Sequence, residues 1–171
     1  MFERPTQHFL ERREKGKGRK RLLELQETGE YVFHGSLNDI DILEPRQAFI
    51  WDEEKGKRVK DGNPSVFATP YADIAIFRAL VNRQGVNEPS RSQFGEEKEK
   101  GLSFAATKNL LEAAKGKRGK VYVLKKEDFD HCFGSECVAE REVVPVEVIE
   151  VHFDDLPPSI TVLEGPEKKS E

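Results

Sequence analysis

Residues 31–36, YVFHGS, end a strand-like run on an imidazole, a residue without a Cβ and a hydroxyl. Gly35 can end the run by reaching backbone angles that other residues avoid, and Ser36 and Asn38 are ordinary turn formers. His34 acquires chemistry only if other polar groups converge on it. Carboxylates are the nearest candidates. The stretch 136–151, ECVAEREVVPVEVIEV, crowds Glu136, Glu140, Glu142 and Glu147 together. Glu140 and Glu142, two residues apart, share one face of a strand. Their alternative reading is solvent-facing charge on an exposed strand. Several familiar sites are excluded. GKGRKR at 16–21 lacks the third glycine of a dinucleotide fingerprint and follows no strand, and KGKRGK at 115–120 lacks the spacing and the hydroxyl residue of a phosphate loop. His131, Cys132 and Cys137 give H-C-x4-C, too few ligands at the wrong spacing for structural zinc, so no metal is expected. No serine sits in a G-x-S-x-G elbow.

The 171 residues suffice for one domain with a core. A charged fraction of 35% beside a hydrophobic fraction of 36% points to polar ends or long charged loops. The net charge of −4 argues against a general nucleic-acid coat. No apolar run reaches membrane-spanning length, and the N-terminus lacks a signal-peptide pattern. Two cysteines make no disulfide framework, and a reducing cytoplasm is the simplest location.

These residues need elements to position them. The basic run RREKGKGRKR at 12–21 reads as a solvated arm that offers a polyanion contact. A short helix follows at 19–27 and stops at Thr28-Gly29. Tyr31–His34 is the first strand. Residues 37–48 spread Leu37, Ile40 and Leu43 at helical spacing before Pro45. FIW at 49–51 is a short strand, 52–63 a charged hairpin tip or loop, and SVFAT at 65–69 another strand. Residues 70–82 place Ile74, Phe77, Leu80 and Val81 on one helical stripe, with Pro70 in the first turn. A long loop over 84–101 leads to a second helix at about 103–115. VYVL at 121–124 is a strand. Residues 142–153 alternate as a half-exposed strand with Pro145 at an edge or bulge, and 155–171 form a tail. Strands and helices without regular βαβ alternation indicate an α+β fold. The division is a basic arm and helix over 1–28, a domain over 29–154 and a polar tail over 155–171.

Three segments, YVFHGS, PSVFATPYADIAIFRAL and ECVAEREVVPVEVIEV, resemble in type and order the motifs of the ADP-ribosyltransferase superfamily. The first is similar to the His-Gly-Thr/Ser strand end of its diphtheria-toxin and poly-ADP-ribose polymerase branch. The second is similar to its aromatic strand followed by a helix with a second aromatic. The third is similar to the Glu-x-Glu strand of arginine-directed transferases. The resemblance implies a single ADP-ribosyltransferase-like domain of split mixed β-sheets with flanking helices. It implies NAD as substrate, held by His34 on the ribose, by the backbone of Gly35 on the carboxamide and by the Ser36 hydroxyl. Phe67, where the family usually has tyrosine, would lie on the nicotinamide ring, with Phe77 as the second wall and Tyr71 near the helix start. Glu142 would be the catalytic carboxylate, with Glu140 beside it and His34 completing the set. Such a carboxylate stabilises the oxocarbenium-like state formed as the nicotinamide–ribose bond breaks. Glu140 would orient or deprotonate an acceptor, left open between protein, nucleic acid, small molecule and water. Two rival readings use the same fold: an RNA 2′-phosphotransferase, disfavoured because the core segments hold only Arg78 and Arg141 as arginines, and a non-catalytic nucleotide- or protein-binding relative.

Overall fold

The computed structural model describes residues 14–165. In chain order its elements are α1 (Lys17–Glu27), β1 (Tyr31–Ser36), β2 (Arg46–Asp52), β3 (Lys57–Ala68), α2 (Ala72–Leu80), β4 (Ser92–Glu97), β5 (Gly101–Thr107), α3 (Lys108–Ala114), β6 (Gly119–Lys125), β7 (His131–Phe133), β8 (Glu136–Ala139), β9 (Glu147–Val151) and β10 (Ile160–Leu163). Short 3₁₀ turns follow β6 and β9. The class is α+β, as the irregular alternation of elements indicates.

The strands form three sheets. In the first, β6 is central between β1 and β9, antiparallel to both. In the second the order is β2-β3-β8-β7, again antiparallel. In the third, β5 pairs antiparallel with β4 and parallel with β10. The two-residue period of the first sheet divides the core in two. Phe33, Val121 and Val123 join Leu22 of α1 and Ile74, Phe77 and Leu80 of α2 in one cluster. Val32, Tyr122 and Leu124 point the other way and join Leu43, Val66 and Cys137 in a second cluster against the β3–β8 sheet.

One short bridge joins these two sheets. Phe33 N–H donates to the Thr69 carbonyl at 2.7 Å, and Thr69 N–H donates to the Phe33 carbonyl at 2.9 Å. Beyond it β1 and β3 separate. Helix α2 starts at once after Thr69, with Tyr71 as N-cap, so Pro70 precedes the helix rather than occupying its first turn. Seven of the nine α2 residues are buried. The helix lies so close to β1 that a Cβ on Gly35 would fall 1.9 Å from the Ala75 carbonyl oxygen.

Several sequence expectations are corrected. Residues 37–45 form no helix; Leu43 instead bridges Val143. The long loop of 84–101 contains β4, and the helix expected from 103 begins only at Lys108, because SFAAT is the inner strand of the β10-β5-β4 sheet. Strand β9 starts at Glu147, so Glu140, Glu142 and Pro145 lie in the preceding loop and share no strand face. Residues 160–163, expected in a tail, supply β10. Arg12 and Arg13 of the basic run lie outside the described residues. The rest of the run is partly absorbed into the fold, since Arg19 pairs with Asp73 and Arg21 with Glu147. Cys132 and Cys137 are joined by a disulfide because the β7–β8 register sets them opposite each other. No helix among the described residues is long and apolar enough to cross a membrane.

Candidate functional site

Where β1 and β3 diverge, a cleft opens between the first and second sheets. Its narrow part, about 120 Å³, is lined by His34 and Gly35 from β1, Phe67 and Ala68 from β3, Ile74, Ala75 and Arg78 from α2, Phe94 from β4, and Ser135 and Glu136 from the β7–β8 hairpin. Its wider part, about 420 Å³, adds Ser36, Asn38 and Arg46 and shares His34, Phe67, Arg78 and Glu136 with the narrow one.

His34 is fixed by geometry. Its Nδ1 lies 2.8 Å from the Phe67 carbonyl oxygen. A carbonyl only accepts, so Nδ1 carries the proton and donates, and neutral His34 keeps a lone pair on Nε2. Burial pushes the His34 pKa below 6.5; the bond to Phe67 opposes that shift, while the positive charges of Arg78 and Arg46 add to it. The cleft therefore holds a neutral imidazole, able to accept a hydrogen bond at Nε2, near two guanidinium groups. One of these, Arg78, lies over the Phe94 ring at 5.8 Å from its centroid.

The requirement for glycine at position 35 has its physical cause in α2. The close approach that excludes a side chain is that of the Ala75 backbone, and Gly35 lines the cleft at the same time. Ser36 sits in the wider part, its Oγ accepting from Asn38 N–H at 3.0 Å.

The other expected residues divide. Phe67 lines the cleft. Phe77 does not: it is 2% exposed, buried against Phe104 at 5.1 Å between ring centroids and edge-on to Phe94 at 6.4 Å. The aromatic wall on that side is Phe94. Tyr71 also lies outside the lining; its hydroxyl donates to Glu96 at 2.6 Å, a bond that raises its pKa. Glu140 is exposed and accepts from Asn63 Nδ2 at 3.0 Å. Glu142 is exposed in the β8–β9 loop and lines neither part of the cleft.

The carboxylate that lines both parts is Glu136, the first residue of β8. Its position follows from the hairpin. Gly134 takes a positive φ of 55°, the Gly134–Ser135 turn pairs Phe133 with Glu136, and the next pair is the disulfide. The sequence carries a signal for this: HCF and ECVA are short strand-like runs separated by Gly-Ser, a two-residue hairpin pattern. Read that way, the Glu at the strand start is the one placed at the sheet end. Phe94 had no such signal, because a single aromatic in SQFGEE looks like loop.

Chemically, the cleft combines apolar walls from Phe67, Ile74 and Phe94, a hydrogen-bond acceptor on His34, cationic groups on Arg78 and Arg46, and a carboxylate on Glu136. Comparison with protein-family models, curated proteins and solved structures returned no match to the chain.

Proposed function

We propose that this chain cleaves NAD at the nicotinamide–ribose bond and passes ADP-ribose to an acceptor nucleophile or to water. The observation that carries the reading is the convergence of His34 and Glu136, from two different sheets, on one cleft walled by Phe67 and Phe94. Nicotinamide leaves with the bonding electron pair, and its ring nitrogen becomes neutral as it does so. The ribose carbon becomes oxocarbenium-like, and the Glu136 carboxylate stabilises that charge. His34 Nε2 accepts from a ribose hydroxyl, and the aromatic walls hold the nicotinamide ring and exclude water. Arg78 and Arg46 offer two positive charges to the pyrophosphate. The acceptor then attacks the ribose carbon and gives up its proton to solvent or a neighbouring carboxylate. Glu142 takes no step in this reading.

One observation favours a second reading, transfer of an RNA 2′-phosphate to NAD: Arg46, outside the three compared segments, joins Arg78 in the cleft. The same assay separates the two. Nicotinamide release from NAD is measured for wild type, Glu136→Gln and Glu142→Gln, with and without an oligoribonucleotide bearing a 2′-phosphate. The proposal expects release without the oligonucleotide, lowered about 10²–10³-fold by Glu136→Gln, the usual cost of removing a group aimed at transition-state charge, and unchanged by Glu142→Gln. Release only with the 2′-phosphate would establish the second reading. No release under either condition, with no thermal shift on adding NAD, would remove both.

A further inference from the structure

The β2–β3 hairpin carries a surface that the cleft does not use. Residues opposite each other in an antiparallel pair point to the same face. Phe49 pairs with Lys60 and Trp51 with Arg58, so these four side chains share one face. The Arg58 guanidinium lies 5.5 Å from the centroid of the Phe49 ring, which places the diagonal neighbours on the same side. Phe49 is 48% exposed and Trp51 55% exposed, and Arg58 and Lys60 are exposed as well. Neither cation makes an ion pair among the described residues. The hairpin's acidic strand residues, Asp52 and Asp61, pair with Lys57 and Ala48 and so point to the opposite face, where Ala48 and Asp61 line the wide part of the cleft. The aromatic face is thus a separate surface, positive and free of carboxylates on its strands.

We infer that this face binds single-stranded nucleic acid. Two exposed rings stand two residues apart on one strand, roughly 6.7 Å at the usual rise. Each is flanked across the ladder by a cation. Successive bases stack on Phe49 and Trp51 while Arg58 and Lys60 meet the phosphates between them, the arrangement that gives sequence-tolerant binding of single strands. Charge selects this occupant over an acidic or neutral protein surface: the two unpaired cations need anions at the spacing of the rings, which a phosphate backbone supplies regularly. A duplex keeps its bases stacked inside and gives the rings nothing to receive, so single strands are preferred.

The test uses the full chain without NAD, so it stands apart from the reaction proposed for the cleft. Fluorescein-labelled single strands of thymidylate and uridylate and a duplex of the same length are titrated by anisotropy, while the fluorescence of Trp51, the sole tryptophan of the sequence, is followed. Single strands of either sugar should bind more tightly than the duplex and quench Trp51. Phe49→Ala/Trp51→Ala should weaken binding tenfold or more, and Arg58→Gln/Lys60→Gln should flatten the slope of log affinity against log salt by about 1.4, at about 0.7 per phosphate contact on a single strand. Because all four side chains are exposed, both variants should melt as wild type does, which separates loss of binding from loss of fold. Binding unchanged in both variants, as contact through the basic run at 12–21 would give, overturns the inference. Absence of binding overturns it as well. So does a blue shift of Trp51 on anionic phospholipid vesicles with no response to oligonucleotides, which would assign the face to a membrane surface.

Discussion

Replacing Gly35 by alanine tests the packing that shapes the cleft. The added Cβ would lie 1.9 Å from the Ala75 carbonyl oxygen, 2.9 Å from its carbon and 3.0 Å from Ala79 N, whereas ordinary contact begins at 3.4 Å. All three atoms are backbone, so no side chain can turn aside. Helix α2 would have to retreat by about 1.5 Å to restore contact distance. It cannot do so alone, because Ile74, Ile76, Phe77 and Leu80 are nearly inaccessible and tied to Phe33, Val121 and Val123. Overpacking of this kind costs about 1–3 kcal/mol, and a backbone clash against a fully buried helix belongs at the upper end. For a chain of this size that lowers Tm by roughly 6–12 °C, at roughly 2–4 °C per kcal/mol. The assay is thermal unfolding without any ligand, followed by circular dichroism. If Gly35→Ala melts with wild type and only NAD affinity falls, the glycine is present for a ligand and the argument from α2 is wrong.

Three further outcomes follow from the same structure. His34 has a folded pKa below its ordinary 6.5. The unfolded chain therefore binds the proton more readily, and the stability from neutral His34 is present above about pH 6.5 and is lost as pH falls through the folded value. His34→Asn, which keeps a donor for the Phe67 carbonyl but does not titrate, should lose less stability than wild type between pH 7.5 and 5; parallel Tm–pH curves would contradict this. The Cys132–Cys137 disulfide closes a short loop, worth about 2 kcal/mol by loop-entropy scaling, so reductant should lower Tm by roughly 4–8 °C and should leave the double serine variant unaffected. Asp155 is fully buried and accepts from Arg19 N–H at 2.9 Å and His152 N–H at 2.8 Å. Asp155→Ala leaves these two part-buried donors without their acceptor, which costs about 1–3 kcal/mol. Urea unfolding should show a loss of unfolding free energy of that order, and a loss near zero would mean that water replaces the carboxylate.

What was legible in the sequence was local. The run YVFHGS and the stripe Ile74, Phe77 and Leu80 each carry their period on their face, and β1 and α2 formed where that period placed them. SFAAT misled because alanine favours helix in isolation. Here Phe104, Ala105 and Ala106 are covered between β4 and β10, and small side chains suit an inner strand with neighbours on both edges. Phe77 sits on the correct face of its helix, but a helical stripe does not say whether it meets a core or a cleft. Only the arrival of β4 and β5, invisible as strands in the sequence, decides that Phe77 is covered and Phe94 forms the wall. Glu142 and Glu136 divide for a similar reason. Both occur among glutamates in one stretch, and the selection is made by the Gly134–Ser135 turn, which pairs β8 with β7, and by the pairing of β8 with β3, which stops at Ala139, before Glu140.

The seating of α1 has a consequence for biosynthesis. Its first turn is held from the far end of the chain: Gly16 N–H donates to Asp154 at 2.9 Å, Arg19 N–H to Asp155 and Arg21 to Glu147. Strand β1 likewise waits for β6, some 90 residues later, for its ladder partner, with only the single Phe33–Thr69 bridge available before that. On the ribosome, residues 17–36 therefore emerge with an apolar helix face and a strand edge that nothing yet made can cover. Contacts this distant in sequence form slowly and leave the growing chain exposed to misassociation. A nascent chain stalled with residue 140 just outside the exit tunnel should still be cut by protease within α1, and one stalled with residue 160 outside should resist.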